Sequence, residues 1–218
     1  MALMFCVVGF SQDGVKWESG TLKEALAKAK SNKKGPDKVF LDCYTSWCGP
    51  CKQMAKSVFP KKEAGDFFNM NFVNVKKDME AGEGIEIAKK YNVKAYPTFL
   101  ILDANGNEIG RVVGGGELGK FIKDIEAAMD PDNSPEKLLA DFEAERTPEL
   151  AYKYIKLSNK LRLANASQFL NDNYELLGEK RFENDLFDII IGAIDIDNPK
   201  ILNDVIANKT SFDRKISK

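Results

Sequence analysis

The chain has 218 residues, 44% of them hydrophobic and 30% charged, with a net charge of −1. This composition describes a globular chain with room for one compact domain and a smaller one, and supplies no electrostatic reason to expect nucleic acid or an anionic membrane as partner. The complete lack of histidine removes the commonest general base, the Ser-His and Cys-His nucleophile pairs and most catalytic zinc sites.

The opening stretch MALMFCVVGF is uncharged and apolar over about the length of a signal-peptide core, and too short to span a bilayer. Gly9-Phe10-Ser11 follows with a small-x-small pattern. Residues 1–12 are therefore expected to be a signal peptide or its remnant, with a buried first β-strand as the alternative. Phe5 directly before Cys6 argues against a lipid-modified cysteine, and no integral membrane segment is expected in the mature chain.

Thr21-Leu22-Lys23-Glu24 has the form of a capping box. Leu22, Ala25, Leu26 and Ala29 recur at helical spacing, which predicts a helix to about Asn32, broken by Gly35-Pro36. KVFLDCYT (38–45) reads as a strand, and PCKQMAKSVF (50–59) as a helix that Pro60 ends or kinks. NFVNVKK (71–77) is the next strand and GIEIAKKYN (84–92) a helix with Asn92 as its cap. YPTFLIL (96–102) and EIGRVVG (108–114) form strands around an Asn105-Gly106 turn, and ELGKFIKDIEAAM (117–129) closes the unit as a helix. The order βαβαββα predicts an α/β domain over residues 13–130, one central mixed sheet covered by helices. After Asp130-Pro131 three helix starts share a cap followed by proline, at Ser134-Pro135, Thr147-Pro148 and Asn198-Pro199. Residues 131–218 are accordingly expected to form a small all-α domain, with DLFDIIIGAI (185–194) as its buried helix.

Chemistry concentrates in DCYTSWCGPCK (42–52). A tetrahedral zinc site needs four ligands, and this chain offers no histidine and, beyond Cys48 and Cys51, only Cys43 and Cys6. A structural bridge between Cys48 and Cys51 closes almost no loop and constrains the unfolded chain little. Thiol–disulfide exchange uses the same residues better. Cys48 stands where a helix begins, so the partial positive charge there favours its thiolate. Exposed at that turn, Cys48 can attack a partner disulfide, and Cys51, one helical turn on, can resolve the mixed disulfide.

Trp47-Cys48-Gly49-Pro50-Cys51-Lys52 resembles the active-site motif of the thioredoxin superfamily. Tyr96-Pro97-Thr98 is similar to its cis-proline loop, Asp42 to its buried aspartate and Gly114 to its late glycine. The leading helix and CKQMAKSVFP look more like bacterial exported thioredoxin-like proteins than the cytosolic kind. The resemblance implies a thioredoxin fold and a thiol–disulfide oxidoreductase with Cys48 as nucleophile, Cys51 as resolving thiol and Asp42 as proton acceptor for Cys51. It implies Pro97 as the backbone platform for substrate, with Trp47, Tyr96 and Gly114 beside it. It implies no cofactor and no metal. The implied partners are disulfide-containing proteins and an upstream electron donor such as a membrane thiol relay, in the periplasm or otherwise outside the cytoplasm, with the cytoplasm as alternative. Gly49-Pro50 resembles reducing members, while strongly oxidising ones usually carry Pro-His, so reduction or isomerisation of protein disulfides is expected. The competing reading is a client-binding or chaperone-like module dominated by the helical domain. Two departures stand out. Where the family places a lysine near the buried aspartate this chain has Asn74, so no cation is expected there, and Tyr96 is bulky for the residue before the proline. Cys43 is extra; strand alternation turns it away from Asp42, which predicts a buried, inert thiol.

Overall fold

The computed structural model describes residues 13–193 and 199–208. The expected signal peptide with Cys6, and Asn198 of the third cap-and-proline pair, lie outside the described residues. The chain divides into two compact units between Ala128 and Met129.

The first unit is built on a five-stranded sheet of β1 (Trp17–Glu18), β2 (Lys38–Tyr44), β3 (Phe72–Asp78), β4 (Thr98–Leu102) and β5 (Glu108–Val113), in the order β1-β3-β2-β4-β5. β1, β3 and β2 run parallel, and β4 and β5 are antiparallel to their neighbours. Among the described residues five helices accompany it: α1 (Leu22–Ser31), α2 (Gly49–Ser57), α3 (Lys62–Asn71), α4 (Gly84–Lys90) and α5 (Leu118–Ala128). Alternation along the strands sorts their side chains. Val39, Leu41 and Cys43 of β2 pack with Val73 and Val75 of β3 and with residues of α1 and α4. The intervening Phe40 stacks on Phe99 at 5.5 Å and meets Phe68 of α3 at 4.6 Å, while Phe121 of α5 lies 4.7 Å from Phe99. With both faces covered, central strands such as TFLIL are buried throughout and show no alternation.

The Thr21 capping box forms, Thr21 Oγ1 accepting the Glu24 N–H at 3.2 Å while the Thr21 N–H donates back to Glu24 Oε2 at 2.6 Å. Asn92 takes a left-handed φ of 50° just past α4, as its cap role requires. Two elements escape the sequence reading. β1 is two residues long and too short to show a period. α3 has no side-chain cap and carries Gly65 in its first half. That glycine lowers helix propensity, yet a Cβ there would stand 2.1 Å from the carbonyl oxygen of Asp13, so close packing keeps it.

The second unit contains α6 (Pro135–Glu145), α7 (Pro148–Lys160), α8 (Ala166–Asn173), α9 (Asn184–Gly192) and α10 (Lys200–Ala207), with 3-10 turns at Pro131–Asn133 and Glu175–Phe182. Ser134 and Thr147 cap α6 and α7, accepting N–H groups of Lys137 at 3.1 Å and Leu150 at 3.3 Å, with proline opening each helix. α10 differs from expectation, because it begins at Lys200 and Pro199 sits at its cap position. α9 also differs. Leu186 and Ile190 are fully buried against Ile155, Leu170 and Tyr174, but Ile191 is 43% exposed. An apolar helix lying on a small core buries one face, and this unit is too small to surround it.

Candidate active site

β2 delivers the chain into the loop Thr45–Trp47, and the Cys48 N–H donates to Thr45 O at 3.2 Å to turn it into α2. Cys48 is the N-cap of α2, with Pro50 in the first turn. Its Sγ accepts the Cys51 N–H at 3.1 Å, which takes up one of the donors a helix start leaves open. Cys48 and Cys51 are joined as a disulfide. The expectation of an exposed Cys48 is corrected here, since the exposures of Cys48 and Cys51 are 2% and 7%. In the oxidised pair each sulfur covers the other, so accessibility does not separate their roles. Their positions differ, since Cys48 Sγ sits at the helix N-terminus and receives the N–H.

Trp47, Gly49 and Pro50, which flank the cysteines in the chain, are exposed, as are Gly115 and Gly116. The Tyr96–Pro97 peptide is cis. Pro97 O accepts the Gly114 N–H at 2.8 Å, and Gly114 has φ 86°, a region open to glycine. Gly115, which sequence reasoning passed over, lies so close to α2 that a Cβ would meet Met54 Sδ at 2.7 Å and Pro97 Cγ at 3.8 Å. The structure thus brings together Cys48 with Cys51, Pro97 with Gly114, and Trp47 with Tyr96, whose rings meet edge to face at 5.9 Å.

Asp42 lies on the β2 face that carries Phe40, with Phe99 as its partner on β4 and Lys76 as its partner on β3. It is 7% exposed, and its Oδ1 has no hydrogen-bond partner. Burial pushes its carboxyl up to about 7, against a pull downward from Lys76. The expectation of no cation near Asp42 is therefore corrected. Asn74 stands opposite Phe40 and donates its side-chain N–H groups to Lys16 O and Asn69 Oδ1, while Lys76, two residues on, supplies the charge. Cys43 is fully buried and unbridged on the other face, and its thiol is pushed well up by burial and by Asp42. Among the described residues no group of three or more cysteines and carboxylates is arranged to hold a metal.

Residues 22–129 match the model of the thioredoxin-like domain family. The chain is 43% identical over 86 residues to a thioredoxin of Echinococcus granulosus, spanning 39% of this chain and 74% of that one. It is 37% identical over 97 residues to the thiol:disulfide interchange protein DsbD of Cronobacter sakazakii, spanning 43% of this chain and 16% of that one. Among solved structures, a candidate disulphide-isomerase from Bacteroides thetaiotaomicron superposes with a TM-score of 0.48 at 41% identity, over 54% of this chain and 95% of that one. The fold and the dithiol define a thiol–disulfide oxidoreductase. The chain belongs to the thioredoxin family.

Proposed function

We propose that the chain reduces or isomerises disulfides of other proteins outside the cytoplasm, with Cys48 as nucleophile and Cys51 as resolving thiol. The Cys48 thiolate attacks one sulfur of a substrate disulfide, forming a mixed disulfide and releasing the other sulfur as a thiolate. Cys51 then attacks Cys48 Sγ, the substrate's second thiolate leaves, and the Cys48–Cys51 disulfide forms. Two electrons pass to the substrate. Asp42 accepts the Cys51 proton, a role that suits a carboxyl titrating near neutral pH. Pro97, Gly114, Trp47 and Tyr96 supply the surface that meets the substrate chain.

The observation that carries this reading is the Cys51 N–H donated to Cys48 Sγ at the start of α2. It stabilises negative charge on that sulfur and favours Cys48 as the attacking and leaving group. Likeness to an interchange protein supports disulfide-bearing partners and an upstream thiol donor. The apolar first ten residues support export, and among the described residues no helix is long and apolar enough to cross a membrane. We further assign residues 13–130 to the redox domain and 131–218 to a separate helical domain. The deciding experiment is equilibration of the Cys48–Cys51 couple with glutathione. A potential well below the glutathione couple supports reduction, and one well above it would make the protein an oxidant instead.

A further inference from the structure

Trp47 is 63% exposed and directly precedes Cys48, yet its indole is held. The Nε1–H donates to Glu80 Oε2 at 2.9 Å, and the ring meets Tyr96 edge to face. Glu80 comes from the loop after β3, and that loop is itself anchored. The Met79 N–H donates to Tyr44 O at 2.8 Å, the Met79 side chain is buried, and the Glu80 N–H donates to Asp78 Oδ1 at 3.0 Å. Two aromatic rings and the Glu80 carboxylate are thus assembled at Trp47, directly before Cys48, from three separate segments.

The charges there are uncompensated. Among the described residues neither Asp78 nor Glu80 is paired with a cation, and Lys77, directly before Asp78, pairs with Glu83 instead. Both carboxylates act on the Tyr96 phenol, which burial first and then their field push upward. An apolar substrate side chain would fit the rings but would strip water from Glu80 with nothing in return. An anionic one would be repelled. A lysine or arginine satisfies both features, lying over an aromatic face while its charge meets the carboxylates.

We propose that Trp47, Tyr96 and Glu80 form a subsite for a basic side chain of the substrate polypeptide, next to the cysteine that is attacked. Glu80 is the specificity-determining residue, acting through its charge on the substrate and through its hydrogen bond on the orientation of Trp47. The proposal rests on Cys48 being the nucleophile.

The test uses the reduced full chain and two peptides, identical except for Lys or Glu after a single cysteine that carries a thionitrobenzoate disulfide. Release of thionitrobenzoate reads the first attack. Each variant is scored by its Lys-to-Glu rate ratio, so a general loss of activity cancels. Wild type should prefer the Lys peptide about fivefold at low salt, as expected for one exposed ion pair plus one exposed cation–π contact. The ratio should fall as salt rises. Glu80→Gln keeps an acceptor for the indole, so it should retain slow hydrogen exchange at the Trp47 Nε1–H but bring the ratio near one. Glu80→Ala should lose both. A wild-type ratio near one, or a ratio that Glu80→Gln leaves unchanged, would overturn the subsite while Cys48 remains the nucleophile. No reaction with either peptide or with 2-hydroxyethyl disulfide would overturn the nucleophile assignment and the subsite with it.

Discussion

Replacing Asp42 by Asn removes a charge from the interior, and its effect on stability can be worked through. The carboxyl titrates at about 7 in the fold against an ordinary 3.8, because burial opposes the charged form. Between about pH 4 and pH 7 the folded protein holds a proton that the unfolded chain has released, so stability falls as pH rises through that window and levels off above it. The full cost of ionised Asp42 is about 4 kcal/mol above pH 7, and about 2.5 kcal/mol of it develops between pH 5 and pH 8. An Asn side chain has no such dependence, though its buried amide costs roughly 1–3 kcal/mol if left unpaired. Asp42→Asn should therefore stabilise the oxidised protein at pH 8 relative to its effect at pH 5, by about 2.5 kcal/mol. Urea unfolding at the two pH values measures this. The chain's two tryptophans, Trp17 and Trp47, both lie in the first unit, so their fluorescence reports that unit. A difference between mutant and wild type that is the same at pH 5 and pH 8 would refute burial of a titrating carboxyl. The same substitution should slow resolution of the mixed disulfide most above pH 7, where wild-type Asp42 is ionised and able to accept the proton.

Cys48→Ser should abolish reduction of protein disulfides, and Cys51→Ser should trap an adduct through Cys48; mass spectrometry that finds adducts on Cys51 in the reverse pair would invert the roles. A chain ending at Asp130 should fold and reduce a small disulfide, since the sheet, Pro97 and both cysteines precede that point. If it also reduces protein substrates as well as the full chain does, the helical domain takes no part in client binding. Gly84→Ala should destabilise the first unit by about 1–3 kcal/mol in thermal unfolding, because its Cβ would stand 1.8 Å from the Asp78 carbonyl oxygen. Gly115→Ala should cost less, since the atoms it meets belong to the flexible Met54 side chain.

What was legible in the sequence was contiguous or periodic. Cys48 to Lys52 is one uninterrupted motif, the Thr21 box spans four residues, and the separation of Cys43 from Asp42 needs nothing beyond the two-residue period of a strand. What was hidden depends on register. Asn74 and Lys76 share a face of β3, so alternation places either of them on the side of Asp42. Which one stands opposite it is decided by how two parallel strands slide past each other, and the helices between them leave no local turn to set that. The motif alone points to Asn74 as the lysine position, whereas the strand pairing sets Lys76 opposite Asp42. Glu80 and Gly115 were hidden for a related reason. Each is an ordinary loop residue until a partner from another segment, the indole of Trp47 or the thioether of Met54, is brought against it. The dithiol could thus be found by reading along the chain, whereas the groups that tune its proton and select its substrate are set by neighbours across the sheet. Variation among proteins with the same motif is accordingly expected at positions such as 76, 80 and 115, where substitution alters specificity or pH response without touching either cysteine.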